Sequence, residues 1–413
     1  MAGFYKKEVT MFNRLTSYIS IIWESCIVEL KLFFKDNAVY VSFLGTSIII
    51  SLLYSAIYGN EVIEKLPVVI VDNDNSSASR ELVRMLDATQ GVYIYANASS
   101  LQDAKVEFSN GEAKGILYIP EQFSHDLQKG KQATVSAYLD ASYMLYYKTC
   151  MNAISKTLGY FDAQLEVATM AKSGTDPRYG VLQRRLVNPV SIPLFNPYSG
   201  YATFILPLVY LIIIQTTLMT AIGIMGGTHR EFNTFYKHYN RDGFRFAALP
   251  ILLGRAMSYL LLCLFVLLIM LGFWFTIFKL PQRSNLLDII VFMIPFFLSV
   301  TFMGIALTGI FRKREDAVFV ISFASLPAVF LSGISWPTVA FPSFIRCLSY
   351  IFPTTIGSKG FIGLTQLGAA FSEMKDYWQQ MWLTCLIYFL IALAVEIWLL
   401  TQSNTKMAAS AHG

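Results

Sequence analysis

The chain has 413 residues, of which 55% are hydrophobic and only 14% charged, with a formal net charge of +5. Soluble domains carry roughly 25% charged residues, which excludes an ordinary water-soluble protein as a description of the whole chain. Segment 59–199 holds 13 of the 32 Lys and Arg and 15 of the 27 Asp and Glu, so it is net −2 and the remainder net +7; basic residues at span ends account for that excess without nucleic acid.

The arm 1–38 opens MAGFYKKEVTMFNRL, with charges where a cleavable signal needs an apolar core, so no such signal is expected. Within it ELKLFFKDN (29–37) mixes aromatic and basic residues, as an amphipathic helix on the inner leaflet does, or else forms a plain juxtamembrane linker. A helix needs about 20 apolar residues to cross a bilayer core, and VYVSFLGTSIIISLLYSAIY (39–58) supplies the first such run.

Segment 59–199 is too long and polar for an unstructured loop. LPVVIVDND, GVYIYANA, KGILYIPEQF and TVSAYLD read as four strands. SSASRELVRMLDAT, SLQDAKVEFSNGE, HDLQKGK and a stretch over about 143–172 read as helices, the first with serines at its start. Alternating strands and helices predict a small α/β domain. Asp72 and Asp74 end the first strand, where α/β domains place chemistry, yet Asn75 to Ser79 look like helix capping. No hydrolase elbow, metalloprotease motif or phosphate loop accompanies them, so no catalytic residue is assigned.

Residues 200–402 read as a five-helix transmembrane region. Its spans are 201–225, 247–278, 286–311, 317–334 and 380–401, giving six in all, and a tail follows at 403–413. The segment 335–378, broken by Pro337, Pro342 and Pro353, suits short re-entrant helices. Near the span ends, 13 Lys and Arg fall on the arm, the loop 226–246, the FRKRED loop and the tail, against five on the other side. Both termini are therefore expected in the cytoplasm and the polar domain outside.

Several polar residues interrupt the spans. Arg255 lies early in the third and is expected to snorkel to the inner interface. Glu396 lies about six residues from the inner end of the sixth; it reads as snorkelling or pairing with a basic loop residue, or more sharply as coupled to proton movement. Gln215, Thr216 and Thr217 bond across a helix interface or, with Pro327 and Phe330, line a substrate path. Pro207, Pro295 and Pro327 permit kinks. The cysteines, Cys26, Cys150, Cys263, Cys347 and Cys385, form neither a disulfide framework nor a metal-binding spacing.

VVIVDNDNSSASRELVRMLDAT with GILYIPEQFSHDLQKGKQATVSAYLDAS, and later FLSGISWPTVAFPSFIRCLSYIFPTT, resemble permeases of the ABC transporter type-2 (ABC-2 membrane) family, in its YhhJ/YbhS-like branch. The first pair resembles the extracytoplasmic domain after that family's first span, and the other the segment after its fifth. The resemblance implies that HREFNTFYKHYNRDGFRFAALPILLGR (229–255) contains a cytoplasmic coupling helix that docks on an ATPase. Arg230, Glu231, Phe232, Thr234 and Tyr236 are its candidate contacts; Asn233 stands where glycine is usual before Thr234. Composition alone also allows a positive-inside loop without a partner.

No G-x-x-x-x-G-K-[ST] occurs, so ATP and Mg belong on a separate ABC ATPase subunit and this chain binds no cofactor or metal itself. The resemblance implies an exporter permease in the bacterial inner membrane, dimeric with an identical or sister permease. It would move a drug, lipid or glycolipid, with a periplasmic adaptor as a further partner besides membrane lipid. The alternative is a non-transporting envelope receptor or secretion accessory protein. A membrane-embedded enzyme would need clustered His, Asp or Glu, and the chain has four histidines.

Overall fold

A computed structural model describes residues 2–59, 63–172, 195–196, 200–232, 234 and 248–411, with side chains over 18–59, 63–168 and 248–402 and at the residues described between 195 and 234. The chain divides into two compact units, Met1–Glu61 with Pro193–Gly413, and Val62–Ile192.

The second unit is built on a four-stranded sheet ordered β2-β1-β3-β4, with β1 (Leu66–Asp72) parallel to β2 (Val92–Asn97) and β3 (Gly115–Ile119). β4 (Ser136–Leu139) runs antiparallel on β3, Gly115 facing Leu139. β1 reads as a continuous apolar run because helices cover both its faces. Leu66, Val68 and Ile70 pack with Leu86 of α3 (Ser77–Asp87) and with Cys150 and Ile154 of α6 (Met144–Lys172). Val69 and Val71 pack with Ala104 of α4 (Leu101–Ser109). A short α5 (Phe123–Gln128) buries Phe123 against Leu82 and Phe161.

Serines start the helices here. The Ser76 hydroxyl accepts the Ser79 amide at 3.1 Å while Ser79 Oγ accepts the Ser76 amide at 3.0 Å, and Ser100 accepts from Asp103. Asp72 is absorbed by the same turn: Oδ1 accepts the amides of Asp74 and Asn75, and Oδ2 accepts the Ser79 hydroxyl at 2.7 Å. Asp74 accepts the amide and hydroxyl of Ser124 at the start of α5. Both aspartates thus shape turns, the alternative to chemistry that the sequence left open.

The first unit is a helical bundle. α1 (Ala2–Lys35) is one 34-residue helix containing the ELKLFFK stretch, and α2 (Asn37–Tyr58) follows after Asp36. The other long helices are α7 (Tyr201–Glu231), α8 (Ala248–Ile277), α9 (Leu286–Thr308) and α13 (Lys375–Ala411). Among the described residues five helices, α2, α7, α8, α9 and the Lys375–Gln402 part of α13, are long and apolar enough to cross a membrane. α7 and α9 form the centre, with 78% and 72% of their most apolar windows buried, against 22% for α2 and 17% for α13.

The run expected as the fifth span folds as α10 (Arg314–Leu331), an 18-residue helix that falls outside those five because Arg314, Glu315 and Asp316 occupy its first turn. Segment 335–378 contains α11 (Ser343–Ser349) and α12 (Pro353–Ile362), each too short to cross. Pro353 sits in the first turn of α12, where its missing N–H costs nothing. α12 is buried against α7, α9 and α13.

Candidate functional site

Four elements meet where α7 ends. Gly227 lies so close to the backbone at the start of α10 that a Cβ there would stand 2.5 Å from the Lys313 carbonyl oxygen. That approach brings Arg230 to the Gly309 and Phe311 carbonyls, to which Nη1 donates at 2.5 and 3.2 Å. The guanidinium also lies 4.6 Å from the centre of the Trp398 ring of α13. Arg230 therefore ties α7 to the α9–α10 turn and to α13.

The next residues face the other way. Glu231 and Phe232 are exposed, Phe232 to 64%. Thr234 folds back, its amide donating to the His229 carbonyl while its hydroxyl lies 3.0 Å from His229 Nδ1. Asn233 and Tyr236 lie outside the described residues. A cavity of about 520 Å³ opens beside this turn, lined by Thr228, His229, Phe232 and Thr234 and by Lys35, Asp36 and Asn37 of the α1–α2 elbow. Asp36 caps α2 through the Ala38 amide at 2.9 Å and pairs with Arg314 of α10 at 3.3 Å. The pair is partly exposed and contributes at most about 1 kcal/mol. At the α10 start, Asp316 accepts the amides of Arg312 and Lys313, and these bonds hold its carboxyl below the usual range.

Gln215, Thr216, Thr217, Pro327 and Phe330 do not line one surface. Gln215 Oε1 accepts the Thr354 amide of α12 at 3.1 Å. Thr217 donates to the Ile213 carbonyl at 2.6 Å and lies 2.7 Å from Ser47 Oγ of α2. Thr216 is half-buried, while Pro327 and Phe330 are exposed on α10 beside Phe319, Phe323 and Leu326. An apolar cavity of about 400 Å³ lies between α11, α12 and α13, lined by Cys347, Tyr350, Ile351, Leu383 and Ile387 among others.

Two groups escaped the sequence reading. Ser47, Ser51 and Ser55 form a buried ladder on α2: Ser47 meets Thr217, Ser55 bonds Tyr210 of α7, and Ser51 accepts Trp274 Nε1 of α8 at 3.0 Å. Their i, i+4, i+8 spacing was the available signal. The other is Glu29, buried on α1 in line with Ser25, Cys26 and Phe33. Arg255 does not snorkel. It is 1% exposed, donating to Glu29 Oε1 at 3.2 Å and to Glu396 Oε2 at 2.9 Å. Tyr259 donates to Glu29 at 2.6 Å. Among the described residues Glu396 thus pairs with another span residue, not with a loop residue. Removing one partner from a buried ion pair costs roughly 3–5 kcal/mol, so this cluster fixes α1 and α13 on α8.

A bundle with five helices of membrane-crossing length and apolarity among the described residues points to a multi-pass membrane protein. A profile described as "ABC-2 family transporter protein" matches residues 38–394. The chain belongs to the ABC-2 family of ABC transporter permeases. It is 24% identical over 339 residues to the "Probable multidrug ABC transporter permease YbhS" of Escherichia coli K12, covering 79% of this chain and 84% of that protein. It is 29% identical over 107 residues to the "Linearmycin resistance permease protein LnrN" of Bacillus subtilis 168, covering 26% of this chain and 27% of that one. Membership in an ABC permease family implies a partner ATP-binding subunit.

Proposed function

We propose that this chain is the transmembrane subunit of an ATP-driven exporter of amphipathic molecules in a bacterial inner membrane. The names of the relatives, a multidrug permease and a linearmycin-resistance permease, support a drug-like or lipid-like substrate. ATP and Mg belong to the partner ATPase, and a second permease, identical or sister, completes the transporter. An envelope adaptor receives the substrate. Six spans cross the membrane, α10 being the fifth, with both termini cytoplasmic and the α/β unit outside; the distribution of basic residues supports this orientation.

The observation that carries the reading is the contrast at the end of α7. Arg230 is locked into the bundle while Glu231 and Phe232 stand exposed beside a cavity. A partner gripping Glu231, Phe232, Thr234 and Tyr236 would deliver its motion directly to the most buried helix. ATP binding at the partner would then rock the bundle between inward and outward states. Thr216, Pro327 and Phe330 remain available to the substrate, while Gln215 and Thr217 serve helix packing.

Glu231→Arg is expected to reduce co-purification of the ATPase and ATP-driven efflux about tenfold or more, with folding intact, as reversal of an interface charge does. Recovery of the permease without any ATPase, and no ATP-driven efflux from the wild type, would show a non-transporting protein instead.

A further inference from the structure

The cavity between α11, α12 and α13 has an apolar body and a positive end. Ile351, Leu383 and Ile387 line the body, with Gln380 and Thr384 beside them. Gln380, Leu383, Thr384, Ile387 and Tyr388 recur at helical spacing, so the cavity runs along one face of α13. Tyr388 donates to the Ile351 carbonyl at 2.5 Å and ties the chain between α11 and α12 to that helix. One turn before Gln380 stands Tyr377, and the Lys359 ammonium of α12 lies 5.9 Å from the centre of its ring. Tyr377 and Tyr388 are about 16 Å apart along the axis, so the charge of Lys359 sits at one end of the cavity.

Arg346 adds a second charge at that end. It lies one turn before Tyr350 on α11 and next to Cys347, both of which line the cavity. Its charge also acts on Lys359. Arg346 Nη2 donates to the Val339 and Phe341 carbonyls at 2.7 and 3.1 Å, which fixes the guanidinium without neutralising it. Among the described residues no carboxylate pairs with either cation. The acids closest to Tyr377 in the chain are Glu373, which accepts the Ala370 amide, and Asp376 in the first turn of α13, and both are exposed.

Two uncompensated cations at the end of an apolar channel suit an anion that carries a long apolar tail. A second copy of this chain suits the channel poorly, because a two-fold contact here would bring the same cations of both copies to one seam. The apolar track continues past the cavity along α13 through the exposed Leu386, Leu390 and Ile391. We propose that this cavity binds an anionic phospholipid of the surrounding membrane, its phosphate between Arg346 and Lys359 and an acyl chain along α13. Arg346 keeps Nε and Nη1 for the phosphate oxygens, and Lys359 supplies a point charge. The bound lipid would join α11 to α13 at the end opposite the Tyr388 tie. The site requires only that the chain lies in a bilayer, whatever it transports and whichever leaflet the cavity faces.

The test uses the full chain in nanodiscs of equal parts phosphatidylglycerol and phosphatidylcholine, released into detergent for native mass spectrometry. Wild type should retain phosphatidylglycerol over phosphatidylcholine by on the order of tenfold. Lys359→Gln and Arg346→Gln should each lose most of that preference, Arg346→Lys should keep most of it, and Lys279→Gln, which does not line the cavity, should leave it unchanged. Should the Arg346 variants fail to fold, wild type carrying a phosphatidylglycerol with a photoactivatable acyl chain decides. Crosslinks should map to 347–351 and 380–388, and excess phosphatidylglycerol should suppress them where phosphatidylcholine does not. Equal retention of the two lipids by wild type, an unchanged preference in Lys359→Gln, or crosslinks confined to other helices overturns the proposal. Suppression of the crosslinks by inorganic phosphate alone would show a plain anion site, and a Cys347–Cys347 disulfide on mild oxidation would show a second copy over the cavity; either result also overturns it. None of these readouts depends on ATPase docking or on efflux.

Discussion

Asp74 connects the exit of β1 to the start of α5 by accepting two bonds from Ser124. Partial burial pushes its carboxyl up, but the hydrogen bonds of Ser76 and Ser124 outweigh that and hold it below the usual carboxylate range. A depressed value means that the stabilisation is present above the unfolded pKa of about 3.9 and disappears as pH falls through the lower folded value. Hydrogen exchange should therefore show the Ser124 amide protected at neutral pH and released in strong acid. Asp74→Ala should release it at all pH values and cost on the order of 1 kcal/mol; continued protection in that variant would refute the role. The Asp-rich strand end was legible as a turn because Asp, Asn and Ser compete for backbone amides. Arg230 was not legible in the same way: its partners at 309, 311 and 398 lie far along the chain, and nothing local separates a docking arginine from one turned inward.

At the scale of elements, the joint between α1 and α8 depends on Gly254. A Cβ there would come within 2.4 Å of the Ile22 carbonyl oxygen and 2.7 Å of the Ser25 Cβ, and backbone cannot yield as a flexible side chain does. Gly254→Ala is expected to push α1 away from α8 and to lower stability by roughly 1–3 kcal/mol, and the strain would be felt at Glu29 on the same face of α1. Limited proteolysis in the first 35 residues should accelerate together with the fall in Tm. An unchanged cleavage rate would mean that α1 is held some other way. The apolar runs announced the long helices because length and composition suffice to mark them. The ion cluster could not be announced, since Glu29 and Arg255 are 226 residues apart. Charges in a span announce that a partner exists without naming it. The serine ladder is an intermediate case: its spacing was visible, but its meaning required Tyr210 and Trp274 beside it.

For the whole molecule, the number of crossings decides which side of the membrane the 335–378 segment occupies. Cys347 reports on this, because it is the exposed cysteine while Cys26, Cys150, Cys263 and Cys385 are buried. If α10 crosses, Cys347 faces outward. A membrane-impermeant maleimide should then label wild-type protein in intact spheroplasts, at Cys347 alone, with Cys347→Ser abolishing the signal. Labelling only after lysis would mean that α10 does not cross. The sequence alone placed this segment outside by counting basic residues, whereas the charged first turn of α10 is what makes that crossing the least obvious of the six.

The cross-links on α7 also hold its direction. Tyr210 and Thr217 both tie it to α2, through Ser55 and Ser47. At about 1.5 Å per residue the two ties stand about 10 Å apart along the helix axis, so they resist a swing of one helix against the other as a single tie would not. A push at the Glu231 end is therefore shared by α7 and α2 as a pair, and α2 becomes part of whatever moves.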